Sequence, residues 1–141
     1  MKVTIEIAKK MLQSAEKAAK KIGVPMVIAI VDEGGNLVAQ HRMDDALLAS
    51  IGISLDKAYT AAATKISTDQ LHVFTQPGQP LYGLNTCIGG KLIVFGGGYP
   101  ITDEKKRVIG GIGVSGGTVE QDMMCAKAGL SALTPTEKRV K

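Results

Sequence analysis

A chain of 141 residues fits a single domain, and at that size folding buries roughly two-thirds of the unfolded surface, so the core needs no disulfide or metal staple. The formal charge of +4 carries no nucleic-acid signature, because Lys138, Arg139 and Lys141 against Glu137 place half of it on the last five residues and no basic stripe is interleaved with aromatics. No apolar run reaches the ~18 residues of a membrane span, and the amino terminus opens into an amphipathic pattern instead of a signal peptide, so the expectation is a cytoplasmic protein with no membrane or nucleic-acid partner.

Ile5, Ala8, Leu12, Ala15, Ala19 and Ile22 recur in steps of three and four, with Thr4 placed as N-cap and Gly23 as stop, which predicts a first helix. Glu6 with Lys10 and Glu16 with Lys20 stand at the four-residue spacing of a solvated helix face. After Pro25 the run Met26 to Val31 is apolar throughout, as in a strand covered on both faces. The turn Asp32 to Asn36 returns the chain into the alternating stretch Leu37 to Met43, giving a β-hairpin with Leu37, Ala39, His41 and Met43 on one face.

Asp44 is placed to cap a second helical region, in which Leu47, Ile51, Leu55, Ala58 and Ala62 form the expected apolar stripe and Ser50, Ser54 and Lys57 a polar one. Ser67 and Gln70 stand at capping-box spacing before a short helix ending near Val73, and Pro77, Gly78 and Pro80 then break the chain. Leu92 to Phe95 reads as a third strand, and Tyr99 to Thr102 with Arg107 to Ser115 as a second hairpin. Period two puts Val108, Ile112 and Val114 on one face of the last strand and Gly111, Gly113 and Ser115 on the other, a nearly smooth surface that admits a helix closely. Thr118 and Gln121 form a capping box for a final helix with the stripe Val119, Met123, Ala126, Leu130 and Leu133. The order predicts an α+β domain over residues 1–134 with a five-stranded antiparallel sheet, followed by a basic tail over 135–141.

Twelve of the 17 glycines lie between Gly78 and Gly117, which marks that region for tight turns or close approach. Gly111 to Gly116 matches GxGxxG, but no second parallel strand with an acidic end follows, so a dinucleotide site is excluded. Gly113 to Gly117 matches GxSxG, yet no histidine follows residue 72 to complete a triad. The helix start after Gly117 could hold an anion, although Glu120 and Asp122 already complement its dipole. Cys87 and Cys125 form no metal-binding pair and read as reduced thiols.

His41 and His72 are the only histidines; neither has a companion at metal-ligand spacing, and either could serve as a single axial ligand to non-covalent haem. His41 is favoured, because alternation sets it beside apolar neighbours. Arg42, Met43 and Asp44 with Lys57 and Thr60 read either as a cap and a surface ion pair or as the polar rim of a ligand site. Gly98, in the break between strands, is expected to offer backbone N–H groups to a ligand.

Arg42-Met43-Asp44, Lys57-Ala58-Tyr59-Thr60-Ala61, Gly97-Gly98-Tyr99-Pro100-Ile101 and Gly110 to Gly117 followed by Glu120-Gln121-Asp122 occur in that order over most of the chain. In these motifs the sequence resembles the GlcG and HbpS-like family and is similar to the C-terminal domain of PduO-type corrinoid adenosyltransferases. Asp45 stands where members usually carry glycine. The resemblance implies a profilin-like α/β/α sandwich, homo-oligomerisation, haem or tetrapyrrole binding in some members, and a setting in glycolate or diol and glycerol metabolism. It directs attention to His41, Arg42, Met43, Asp44, Lys57, Thr60, Gly97, Gly98, Tyr99 and Pro100 as ligand-binding residues, with His41 or His72 as haem ligand. The competing expectation is an accessory enzyme of cofactor or small-acid metabolism using Asp44 and Lys57.

Overall fold

The computed structural model describes residues 1–133, so the expected basic tail at 135–141 lies outside the described residues. Helix α1 spans Ile5–Ile22, with the Thr4 hydroxyl accepting the Ile7 N–H at 3.2 Å and Gly23 closing the helix in the left-handed region. It buries Ala8, Leu12, Ala15 and Ala19 as the spacing predicts, together with Ile7 and Met11. Strands β1 (Val27–Asp32) and β2 (Leu37–Arg42), helices α2 (Ala49–Thr64) and α3 (Thr68–Phe74), strands β3 (Gly98–Thr102) and β4 (Val108–Ser115), and helix α4 (Val119–Ser131) follow.

Strand order is β2-β1-β4-β3, antiparallel throughout. Along β1, Ile28 and Ile30 join the core formed with α1 and α4, whereas Ala29 and Val31 face Ala58 and Ala62 of α2. The sheet is therefore covered on both faces, as the uninterrupted apolar run of β1 demands.

The sheet has four strands, not the five expected. Leu92 to Phe95 is apolar enough to be a strand, but its backbone finds side-chain partners in place of a ladder. The Ile93 N–H donates to Thr60 Oγ1 at 2.9 Å, and the Val94 carbonyl oxygen lies 3.1 Å from His72 Nδ1. Between α3 and this segment the chain runs through short 3-10 turns at Leu84–Thr86 and Ile88–Gly90.

Helix α2 starts at Ala49 without a side-chain cap, later than Asp44 suggests, and its buried face keeps Ala58 and Ala62 of the expected stripe but takes the polar residues in place of Leu47, Ile51 and Leu55. Ser50, Ser54 and Lys57 are buried, while Leu47 and Leu48 are 62% and 73% exposed. Its polar stripe lies on the glycine face of β4, where Ser50 and Ser115 share a hydrogen bond of 3.0 Å and the Ser54 hydroxyl accepts Gln40 Nε2 at 3.0 Å. Every buried hydroxyl there has a partner, which makes a polar face tolerable at an interface. Asp45 has φ +68°, the left-handed conformation in which aspartate substitutes for glycine at moderate cost.

The pairing of β3 with β4 slips between Ile101 and Thr102, and this bulge buries Ile109 in the main core while Val108 is only half-buried. The expected capping box of α4 forms in full, with Thr118 Oγ1 accepting from Gln121 and Gln121 Oε1 accepting from the Thr118 N–H. Ala126 and Leu133 of the expected stripe are buried, but the other buried positions of the helix are Asp122, Cys125 and Gly129, and Val119 is 38% exposed. Ser67 starts α3 with no side-chain cap bond.

Candidate functional site

The expected site residues separate into two places. His41, Arg42, Met43 and Asp44 line a cleft of about 620 Å³ between β2 and the second half of α1, with Glu16, Ala19 and Lys20 on the helix wall and Gly23 to Pro25 at its end. The strand exit brings these four together because they are consecutive. Val24, Pro25 and Met43 supply apolar surface, and the Met43 sulfur accepts the Met26 N–H at 3.4 Å, which holds that side chain against the wall. Arg42 is exposed and donates through Nη2 to the Ala46 carbonyl at 3.1 Å; Lys20 and Asp44 complete a mixed-charge rim. The His41 ring is half-exposed, and its Nδ1 is hydrogen-bonded to Glu16 Oε1.

Lys57 belongs to the interior. Its ammonium, on the α2 side of the sheet, reaches Asp122 of α4 on the other side at 2.9 Å and donates to the Val114 carbonyl at 2.8 Å, with the Phe95 ring centroid 5.0 Å away. It passes beside Gly97, where an added Cβ would lie 2.7 Å from Nζ and where φ is +127°, so no other residue fits. Burial draws the Lys57 amine below its ordinary range and pushes the Asp122 carboxyl above its own, and each partner pulls the other back. Asp122 also accepts the Gly117 N–H at 2.9 Å. This pair pins two helix layers together across the end of β4. Lys57 is fully buried and Asp44 is exposed in the cleft, so the two are not brought together as a catalytic pair.

The remaining expected residues serve the interior or the sheet edge. The Thr60 hydroxyl donates to the Asp56 carbonyl at 2.6 Å and receives Ile93. The Gly98 N–H is taken by Thr68 Oγ1 at 2.9 Å, so it is not free for a ligand. Pro100 lies on edge strand β3, where its missing N–H is tolerated. Tyr99 is half-buried under Lys127, whose amine is 5.9 Å from the ring centroid; burial, then the charge of Asp69, pushes its phenol up to about 12. His72 is exposed, with Nδ1 3.1 Å from both the Val94 carbonyl and the Gln76 side-chain nitrogen, and it is not among the residues lining the cleft. At the start of α4 the Gly117, Thr118 and Gln121 N–H groups are occupied by Asp122, Gln121 and Thr118, which fill the sites an anion would use.

Sequence reasoning missed Glu16 and Asp122. Glu16 was explained by Lys20 four residues on, and nothing local pairs it with a strand 25 positions away. Asp122 was explained as a complement to the α4 dipole, which hid its role as the counterion of a buried lysine.

A family model described as haem degrading protein HbpS-like matches residues 3–131. The chain belongs to this HbpS-like family. Among its HbpS-like relatives, an uncharacterised 15.0 kDa protein from the dhaT-dhaS intergenic region of Citrobacter freundii is 46% identical over 94% of this chain and 92% of its own length. The corrinoid adenosyltransferase PduO of Citrobacter freundii is 41% identical over 94% of this chain, but the chain spans only 39% of that protein. The crystal structure of a PduOC–haem complex superposes with a TM-score of 0.90 at 39% identity, covering 94% of this chain and 95% of that one.

Proposed function

We propose that this HbpS-like chain binds haem or a closely related tetrapyrrole in the cleft between α1 and β2, with His41 as an axial ligand. The observation that carries the proposal is the cleft itself, which puts one imidazole, an apolar wall and two cations around a volume within the usual ~300–1,000 Å³ of ligand sites. Val24, Pro25 and Met43 would pack against the macrocycle, and Lys20 and Arg42 would meet its carboxylates. When bound, haem supplies an iron with an axial position that imidazole nitrogen fills. The solved complex of haem with the similar PduOC, together with the family description, supports the ligand class. The dhaT-dhaS location of one relative accords with the diol and glycerol setting that the resemblance implies. Titrating haemin into the purified protein should produce a Soret shift that His41→Ala abolishes and His72→Ala leaves intact. An unchanged spectrum and affinity in His41→Ala would remove that histidine from the site.

Exposed Leu47, Leu48, Val73, Phe74, Leu81, Tyr82 and Ile88 support a second part of the proposal, that the chain is a homo-oligomer that covers this apolar surface. Sedimentation at micromolar concentration should show an assembly, and a monomer would rule it out.

A further inference from the structure

The hydrogen bond between His41 and Glu16 joins a strand to the middle of α1, and it engages one ring nitrogen only. Nδ1 meets the carboxylate, while Nε2 has no hydrogen-bond partner among the described residues. A neutral imidazole carries its proton on one nitrogen, and the partner of the other nitrogen decides which. A carboxylate is solely an acceptor when ionised, so it selects the tautomer with hydrogen on Nδ1 and a lone pair on Nε2. It also removes the ring flip that an exposed histidine would otherwise undergo, since only one orientation keeps Nδ1 on Glu16. The donor is thus set before any ligand arrives.

We propose that Glu16 is the positioning residue of the cleft, fixing His41 in the Nδ1–H tautomer so that Nε2 is the ligating atom. The step from tautomer to ligand affinity rests on the haem proposal; the tautomer itself does not. Glu16 suits the role because it projects from a capped helix whose opposite face is buried in the core, so its backbone has little freedom to follow the imidazole. Its side chain is 25% exposed against 57% for His41, so the carboxylate is the more sheltered and better anchored partner. The competing account is a surface ion pair between the carboxylate and a protonated imidazole, which contributes little and selects no tautomer.

Nitrogen-15 NMR of the ligand-free protein, above the pH at which the imidazole titrates, separates the two accounts. His41 should be held as the Nδ1–H tautomer in the wild type and in Glu16→Gln, whose amide oxygen still accepts, and should revert in Glu16→Ala to the Nε2–H form preferred by imidazole in water. A wild-type spectrum already dominated by Nε2–H, or no change in Glu16→Ala, would overturn the inference whatever the protein binds. Haemin affinity should fall by about 10- to 100-fold in Glu16→Ala and much less in Glu16→Gln, the range known for lost partners of metal-binding histidines. Equal affinity in the wild type and Glu16→Ala, with the tautomer changed as expected, would overturn the link to ligation. If His41→Ala binds haemin as the wild type does, the functional proposal fails, and the tautomer result still decides the role of Glu16.

Discussion

Gly113→Ala should destabilise the protein by about 1–3 kcal/mol, toward the upper end of that range, in chemical denaturation. An added methyl would run into the Ser54 carbonyl oxygen and would lie 2.6 Å from the Ala58 nitrogen and 3.0 Å from Lys57 Cβ. The obstacles are the backbone of α2, which cannot step aside as a flexible side chain would. Relief requires lifting the helix off β4, and that loosens the Lys57 contact at the same interface. Gly52 is the internal control: it lies in the same helix, but nothing stands within 4 Å of its added Cβ. Gly52→Ala should therefore stabilise by up to about 1 kcal/mol through helix propensity alone. Equal stability in Gly113→Ala and the wild type would contradict the packing described for α2.

The second large effect is expected at the interlayer pin. Lys57→Met should cost about 3–5 kcal/mol, because it strands the Asp122 carboxylate in the interior with only the backbone N–H groups of Gly116 and Gly117 as donors. Replacing both partners, as in Lys57→Met with Asp122→Leu, should recover much of that loss, since two apolar side chains leave no charge to desolvate. The pH dependence follows from the carboxyl. Burial already raises Asp122 above its ordinary value of 3.8 and Lys57 lowers it again, so removing the ammonium lifts it further. A raised folded-state value contributes stability that is complete below 3.8 and is lost as pH rises through the folded value. The deficit of Lys57→Met should shrink on acidification. Urea midpoints of the single and double variants across that range test this, and a double variant no better than Lys57→Met would contradict it.

These two sites also show what was legible beforehand. Several local signals held, namely the Thr4 cap, the Gly23 stop, the Thr118 capping box and the smooth face of Gly111 and Gly113, whereas the caps read at Asp44 and Ser67 do not form. The smooth face announced a closely approaching helix, but the identity of the helix face it accepts was hidden. Apolar periodicity favoured Leu47, Ile51 and Leu55, whereas glycines receive backbone, and Ser50, Ser54 and Lys57 are buried because each finds a partner on β2, β4 or α4, or within α2 itself. Composition cannot reveal those partners, since Lys57 and Asp122 are 65 positions apart. The same limit produced the fifth strand, because an apolar run of four gives no hint that a threonine 33 positions earlier satisfies its backbone. Within the cleft, His41 to Asp44 were legible as consecutive residues at a strand exit, and Glu16 was not.

In the proposed complex, haem iron would sit on His41 Nε2 in the cleft between α1 and β2. An iron anomalous difference map from crystals grown with haemin tests it most directly. The expected result is a single strong peak within bonding distance of His41 Nε2, with Glu16 still on Nδ1. A peak beside His72, or anywhere away from the cleft, would contradict the account.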